Sequence, residues 1–155
     1  MNPDTEALLA PARQRQQADA LSYAGAVTPY EAMALLQAEP QVKLIDVRTT
    51  AERDWVGRVA IPDHQHAAVQ WNLYPGGTQN PTFLEQLAQV AVVNQVLLFL
   101  CRSGVRSRHA ATLATRHGYR QCFDILEGFE GEKNVDGHRK TTGGWCAAGL
   151  PWTGA

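Results

Sequence analysis

The most regular apolar stretch of the chain is the run of five residues from Val96 to Leu100. A short, uninterrupted run of strand-forming residues is typical of a buried strand in a parallel sheet. It leads directly into Cys101 and a short segment around Gly104, followed by a helical pattern over residues 107–117. Gly118 suits the position just past the end of that helix. The pattern therefore predicts a strand, a tight loop and a helix.

Capping residues and apolar runs predict further elements on both sides of this unit. Thr28, Pro29 and Glu31 form a capping-box pattern that opens a helix, and Pro40 ends it. Alternating helices and strands predict an α/β fold with a mainly parallel central sheet of about five strands, flanked by helices. The expected strands are 26–27, 42–47, 67–71, 96–100 and 121–126, and the other expected helices are 50–55, a helix opened by Pro81, and 107–117.

The two ends of the chain have a different character from this alternating middle. Residues 1–22 are polar with scattered apolar positions and are predicted to be a partly helical N-terminal extension. Residues 23–155 are predicted to form one domain. Within it, residues 132–144 read as a long surface loop before a short closing helix that Pro151 ends.

Composition excludes several classes of partner and site. The formal net charge of −1 gives no general attraction for nucleic acid or membranes. Three widely spaced cysteines without a C-x-x-C pair fit neither a disulfide framework nor a zinc site, so no metal or other cofactor is expected and a reducing compartment is favoured. Early acidic residues and the lack of a long apolar run indicate neither a signal peptide nor a membrane span, and a cytoplasmic location is expected.

The chemistry of the chain is concentrated at Cys101. A cysteine at the carboxyl end of a parallel strand lies where open α/β sheets bind ligands. Successive backbone N–H groups in the loop and at the start of the next helix can form a nest for an anion. Arg102 and Arg106 add positive charge. All of these favour a nucleophilic thiolate over a buried structural thiol.

Several segments of the sequence resemble those of a known family. The segment Cys101-Arg102-Ser103-Gly104-Val105-Arg106 is similar to the active-site loop of rhodanese-type sulfurtransferases. The family's usual Gly-His-Ile-Pro-Gly-Ala segment is changed here, since Arg58 replaces the histidine and Asp63-His64 replace Gly-Ala. Further similar segments are Val27-Thr28-Pro29 with Glu31, Leu44 to Arg48 with Glu52, Leu126-Glu127-Gly128 with Gly131, Gly144-Trp145, and Gly149-Leu150-Pro151.

The resemblance implies a three-layer rhodanese-like fold and a persulfide carried on Cys101. A small anionic donor such as thiosulfate would supply the sulfur, and cyanide, a thiol or a protein would accept it. The resemblance places the substrate on loop residues Arg102, Ser103, Gly104, Val105 and Arg106. Basic loops in the family accompany a preference for thiosulfate over 3-mercaptopyruvate.

Asp46 and Arg48, which flank a strand end, are the expected supporting residues. By the same resemblance they help hold the loop region in place. An ordinary ion pair at the strand end is an equal alternative. For the nearby Glu52 we favour exposure on the surface over capping or pairing with Arg48.

Two other function classes stay open. A phosphatase or arsenate reductase also combines a cysteine, an anion-binding loop and an arginine. However, Cys101 and Arg106 are separated by four residues, whereas tyrosine phosphatases and related rhodanese-like phosphatases use five. The shorter loop suits a sulfur atom better than a phosphoryl group. A non-catalytic rhodanese-like binding module is the second alternative, and such modules commonly lack the cysteine.

Several other residues could contribute to a site but are more simply explained otherwise. Solvent exposure is expected for His64 and His66, and core packing for Trp71. Cys122 is expected to be a buried structural thiol. Cys146 could resolve a persulfide, although packing at a helix end is favoured.

Overall fold

The computed structural model describes residues 2–154. Its helices are α1 (Pro3–Asp19), α2 (Pro29–Ala38), α3 (Thr50–Val56), α4 (Phe83–Val90), α5 (Val105–Arg116) and α6 (Gly144–Ala147), with a 3-10 turn at Asp63–Gln65. Its strands are β1 (Gly25–Val27), β2 (Lys43–Asp46), β3 (Arg58–Val59), β4 (His66–Ala68), β5 (Val96–Leu100), β6 (Gln121–Ile125) and β7 (Trp152–Thr153).

Five strands form one parallel sheet in the order β1-β6-β5-β2-β4. The predicted α/β class and the five-stranded parallel sheet are therefore confirmed. The apolar run β5 occupies the centre, where both faces are covered and every residue is buried. The carboxyl end of this strand consequently lies in the middle of the sheet edge at which parallel strands end.

Alternation along the strands divides the interior into two apolar cores, one on each face of the sheet. Leu98 and Leu100 of β5 join the core beneath α1 and α2. Leu97 and Phe99 join the core beneath α4 and α5, and Cys101 continues this second set. Helices thus cover both faces, which gives the three expected layers.

Helix α1 packs against β1 and α2 through residues of the N-terminal segment. Leu9 and Ala12 are completely buried in the first core. The Arg15 guanidinium binds the Glu31 carboxylate with N–O distances of 2.6 and 3.1 Å. The boundary placed after residue 22 stays a prediction, but α1 shares its core with the sheet and with α2.

The starts of α2 and α3 agree with the predicted helix starts. The Thr28 hydroxyl accepts from the Glu31 amide, and the Glu31 carboxylate accepts from the Thr28 amide, which is the reciprocal pattern of a capping box. Thr49 and Glu52 repeat the pattern at the start of α3. Both arrangements satisfy backbone donors that a helix start leaves free.

Other boundaries differ from the sequence-based prediction. The expected strand over 67–71 is β4, His66–Ala68, although Val69 and Trp71 continue to donate backbone hydrogen bonds to the β2 side. Antiparallel pairing of β3 with β7 was not predicted, because two residues are too few to show a periodicity.

Residues 2–154 include no helix of the length and apolarity that crossing a membrane requires.

Leu9 tests whether α1 stabilises the domain. Leu9→Ala leaves a cavity in the first core and should lower the free energy of unfolding by about 2–5 kcal/mol. Urea denaturation of the variant and wild type measures this difference. Gln14→Ala, an exposed position on the same helix, is the matched control and should change stability by less than about 0.5 kcal/mol. Equal, small losses for both variants would contradict a structural role for α1.

Candidate active site

Cys101 directly follows β5, and its side chain is almost fully buried at 1 % exposure. The sulfur accepts a hydrogen bond from the backbone N–H of Gly104, with N–Sγ 3.0 Å. The Ser107 hydroxyl oxygen also lies 3.2 Å from the sulfur. A backbone donor and a hydroxyl group therefore contact this sulfur, whereas a purely structural cysteine requires only apolar neighbours.

The loop after Cys101 is shorter than predicted, because α5 begins at Val105 rather than at residue 107. Gly104 caps the helix with a φ of 113°, a backbone region that side chains disfavour. Val105 and Arg106 are consequently in the first helical turn. The N–H groups of that turn lack intrahelical acceptors and give the helix start its positive end, close to the sulfur.

A second segment, residues 128–130, contacts the backbone of the loop that follows Cys101. The Phe129 amide donates to the Cys101 carbonyl at 2.8 Å, and the Glu130 amide donates to the Arg102 carbonyl at 2.9 Å. Gly128 allows this approach, because a Cβ there would lie 2.6 Å from the backbone of Arg102 and Ser103. Residues 128–130 thus position the loop through backbone hydrogen bonds and close backbone contact.

The two loop arginines have different surroundings. Arg106 forms a bidentate ion pair with Glu52, with N–O distances of 2.6 and 2.8 Å. Arg102 is exposed, and its guanidinium has no hydrogen-bond partner among residues 2–154. Both line an open cleft of about 350 Å³ together with Thr49, Glu52, Asn72, Leu73, Tyr74 and Gly77.

The predicted surface exposure of Glu52 is wrong. Its carboxylate caps α3 and pairs with Arg106 across the cleft, and its side chain is only 23 % exposed. Burial acts to raise the pKa of Glu52, but the Arg106 guanidinium and the Thr49 hydrogen bonds outweigh it and lower that pKa to about 2. Glu52 is therefore ionised at any physiological pH, and the Arg106 charge is largely neutralised.

Asp46 and Arg48 form a bidentate ion pair with both side chains completely buried. The Arg48 guanidinium carbon also lies 4.2 Å from the centre of the Phe129 ring. Phe129 in turn donates its amide to the Cys101 carbonyl. The pair is an ion pair at a strand end, and it also contacts the segment that supports the loop.

Two polar residues beside Cys101 were not among the predicted site residues. Ser107 and Asp124 are buried, and the Ser107 hydroxyl donates to the Asp124 carboxylate. Burial raises the pKa of Asp124 to about 7, against the opposing influence of Ser107 and Arg108. The one feature of the sequence that bears on Asp124 is the alternation along its strand, which puts Asp124 on the same face as Cys122.

The remaining candidates lie apart from this arrangement. His64 is exposed as expected, but His66 is half-buried, and burial lowers its pKa. Trp71 packs edge-on against Phe83 with ring centres 5.1 Å apart, in agreement with a packing role.

Cys122 and Cys146 are free thiols, and burial raises the pKa of each to about 11. Such thiols remain protonated at neutral pH and are poor nucleophiles. Among the described residues, no group of three His, Cys, Asp or Glu side chains is placed to hold a metal ion.

Gly128 tests the support of the loop. Gly128→Ala combines a φ of 67° with a collision against the loop backbone, and it should destabilise the fold by several kcal/mol. Gly137→Ala is the matched control, because its φ is 81° but nothing lies within 4 Å of the added Cβ. Thermal unfolding of both variants separates backbone strain from the collision. Equal losses would mean that the approach of Gly128 to the loop is unimportant.

Comparisons with known proteins agree with this geometry. The family model named Rhodanese-like domain matches residues 28–134. An uncharacterized protein of Rickettsia conorii is 34% identical over 128 residues, covering 79% of this chain and 91% of that protein. The crystal structure of Rv0390 from M. tuberculosis superposes with a TM-score of 0.76 at 39% identity, covering 86% of this chain and 99% of the other.

More distant proteins carry names that refer to function. Thiosulfate sulfurtransferase GlpE of Haemophilus influenzae is 32% identical over 72 residues, covering 46% of this chain and 55% of that protein. A Rhodopseudomonas palustris protein described as a possible tyrosine phosphatase has a TM-score of 0.54 at 20% identity, covering 99% of this chain and 96% of the other, which shows a shared fold alone. With a matching family model over most of its length and a central strand that ends at the buried Cys101, the chain belongs to the rhodanese-like domain family.

Proposed function

We propose that this chain is a sulfurtransferase that carries a sulfane sulfur as a persulfide on Cys101. Thiosulfate or a similar anion is the donor, and cyanide, a small thiol or a protein thiol is the acceptor. The proposal rests mainly on the buried Cys101 sulfur, which accepts from the Gly104 amide, and on the next residue, Arg102, which lines an open cleft. The family and the distant similarity to a thiosulfate sulfurtransferase support it.

The reaction proceeds in two half-reactions. The Cys101 thiolate attacks the outer sulfur of thiosulfate, the S–S bond of the donor breaks, and sulfite leaves with the bonding electron pair. The acceptor then attacks the outer sulfur of the resulting persulfide, and Cys101 departs as a thiolate. Both steps pass one sulfur atom between nucleophiles, so no external oxidant, reductant or cofactor is needed, and ping-pong kinetics are expected.

The residues around the sulfur stabilise negative charge mainly through backbone dipoles, and the Arg106 guanidinium, although it is paired with Glu52, also interacts with the Cys101 charge. The Gly104 amide and the start of α5 direct positive dipole ends toward the thiolate and the persulfide. Arg102 is the cation available to the donor, because Arg106 is bound to Glu52. We assign Ser103, Gly104 and Val105 to the wall of the anion site. Asp46 and Arg48 act as supporting residues through Phe129.

The phosphatase alternative is less compatible with this geometry. A phosphatase requires its loop arginine to bind the phosphoryl oxygens, whereas Arg106 binds Glu52. The spacing of four residues between Cys101 and Arg106 also encloses a smaller space. The three cysteines are free thiols, which fits a reducing compartment, and a cytoplasmic location is part of the proposal. We propose no nucleic-acid or membrane partner.

Formation of thiocyanate from thiosulfate and cyanide tests the function directly. Wild type should form thiocyanate, and Cys101→Ser should reduce the rate to background, because the hydroxyl cannot form a persulfide. Cys146→Ser is the matched control and should retain activity, since Cys146 is a half-buried thiol with a raised pKa.

The same preparations are assayed with an aryl phosphate. Phosphate release by the wild type at a rate comparable to thiocyanate formation would favour the phosphatase alternative. Sulfur transfer that persists in Cys101→Ser would move the nucleophile elsewhere. Absence of both activities in a folded wild type would favour a binding module.

Arg102 tests how the donor is recognised. Arg102→Ala should lower kcat/KM for thiosulfate by roughly ten- to a hundredfold, because a charge-assisted bond contributes about 1.5–3 kcal/mol. The loss for 3-mercaptopyruvate should be smaller, because that donor carries a single carboxylate. Steady-state kinetics with both donors measure this difference.

Arg116→Ala is the matched control for net charge, because this exposed arginine lies at the other end of α5. It should leave both donors unaffected. Equal losses for the two donors in Arg102→Ala would contradict recognition by charge.

A further inference from the structure

A continuous hydrogen-bonded chain connects the nucleophile to a buried carboxyl group. Cys101 Sγ lies 3.2 Å from Ser107 Oγ, and Ser107 Oγ bonds to Asp124 Oδ1. The three residues come from the end of β5, the first turns of α5, and β6. Cys101 and Asp124 are each 1 % exposed, and Ser107 is completely buried. The chain of contacts is thus closed to bulk water.

We propose that Asp124 is a positioning residue that receives the Cys101 thiol proton through Ser107 and returns it at the end of the catalytic cycle. Ser107 is the relay that touches the reacting sulfur. The role in the cycle rests on the proposed sulfur transfer, whereas the proton exchange itself requires only the three side chains.

The proton can move from Cys101 to Asp124 without displacement of any heavy atom, because two hydrogen-bond arrangements fit the same side-chain positions. In one arrangement the Cys101 thiol donates to Ser107 Oγ, and the Ser107 hydroxyl donates to the Asp124 carboxylate. In the other, a protonated Asp124 donates to Ser107 Oγ, and the Ser107 hydroxyl donates to the Cys101 thiolate. Each arrangement uses every available hydrogen once. The Gly104 amide, which also donates to Sγ, favours the second.

The groups around Asp124 permit one negative charge to be shared by Cys101, Ser107 and Asp124, but they disfavour two. On α5, Arg108 faces the carboxyl group, although its side chain is exposed and its Nε binds the Gly104 carbonyl. The buried Tyr23, ahead of β1, faces the same group. Burial is the main cause that raises the pKa of Tyr23 to about 12, and the Asp124 charge is the second. The phenol therefore stays neutral.

Asp19 of α1 is a further negative charge that acts on Tyr23. The residues paired with Asp124 on the neighbouring strands, Ala26 and Phe99, are apolar. A thiolate and a carboxylate buried together would repel each other, as two neighbouring carboxylates do. The raised pKa of Asp124, about 7, means that the carboxyl group holds a proton on the acidic side of neutrality. A proton shared by the pair avoids the doubly charged state.

The steps balance in protons and charge. Before attack, the Sγ–H bond breaks as Ser107 Oγ takes that proton and passes its own to Asp124 Oδ1. The thiolate attacks thiosulfate, and sulfite leaves with the electron pair of the broken S–S bond. After the acceptor removes the outer sulfur, the thiolate recovers the proton by the reverse path. No proton needs to enter from water during the cycle.

Alkylation of Cys101 by iodoacetamide tests the proton exchange without any sulfur donor. The rate is measured between pH 5 and about pH 11 by mass spectrometry of the Cys101 peptide, which excludes Cys122 and Cys146. In wild type the rate should rise in two steps, because two coupled groups lose their protons in succession. The first step should lie near pH 7.

Asp124→Asn should replace the two steps by a single step. Asparagine retains a hydrogen bond to Ser107 but imitates only the neutral carboxyl group. The single step should therefore lie between the two wild-type steps, since no neighbouring anion opposes thiolate formation. A purely structural role for Asp124 would change the overall rate or stability but not the number of steps.

Variants of Ser107 keep the test decisive if Asp124→Asn fails to fold. Ser107→Ala should strongly reduce the amplitude of the lower step, and Ser107→Thr, which keeps the hydroxyl, should restore it. An Asp124→Asn profile that superposes on the wild-type profile would overturn the proposal, as would a two-step profile in Ser107→Ala of undiminished amplitude. A two-step wild-type profile without thiocyanate formation would refute the proposed function while leaving the proton exchange intact.

Discussion

The central constraint on this structure is that a sulfur nucleophile is buried where an unpaired charge would be very unfavourable. Cys101 follows the middle strand of the sheet, and its side chain has almost no contact with water. The structure meets the constraint with neutral groups, namely the Gly104 amide, which donates to the sulfur, and the Ser107 hydroxyl, which contacts it and donates to it when Asp124 holds the proton, as proposed above. Such dipoles stabilise an anion without adding a second buried charge. The loop geometry, the left-handed Gly104 and the start of α5 all follow from this requirement.

The same constraint explains the distribution of arginines around the site. Arg48 is completely buried and binds Asp46, and Arg106 binds Glu52. Only Arg102 presents an unpaired guanidinium to the cleft among the residues described. The basic motif therefore does not act as a cluster of free cations. Its charges hold the framework together, and one remains available to an anionic ligand.

Much of the fold could be predicted from the sequence because its signals are local. The apolar run of β5 and the threonine cap at Thr28 depend on residues at most a few positions apart. The position of the cysteine at the strand end could be predicted for the same reason. The start of α5 was misplaced because Gly104, a residue typical of loops, serves here as the helix cap.

The polar partners of the site could not be predicted, because they depend on how distant elements meet. Glu52 of α3 reaches Arg106 of α5 only in the folded chain, because 54 positions separate the two residues in sequence. Period-two alternation places Asp124 on one face of its strand, but only the pairing of Phe99 with Asp124 brings that face beside Cys101. Register and helix placement are properties of the whole sheet.

Helix α1 also has a consequence for how copies of this protein meet one another. Strand β1 is an outer strand, and the backbone groups on its open side could pair with a strand of another chain. The Val27 carbonyl accepts from Leu126, so the Ala26 carbonyl points away from β6, and Arg15 of α1 binds it at 2.7 Å. The opposite outer strand, β4, has only three residues. One open edge is thus covered and the other is short, which protects the sheet against growth by strand addition and against aggregation.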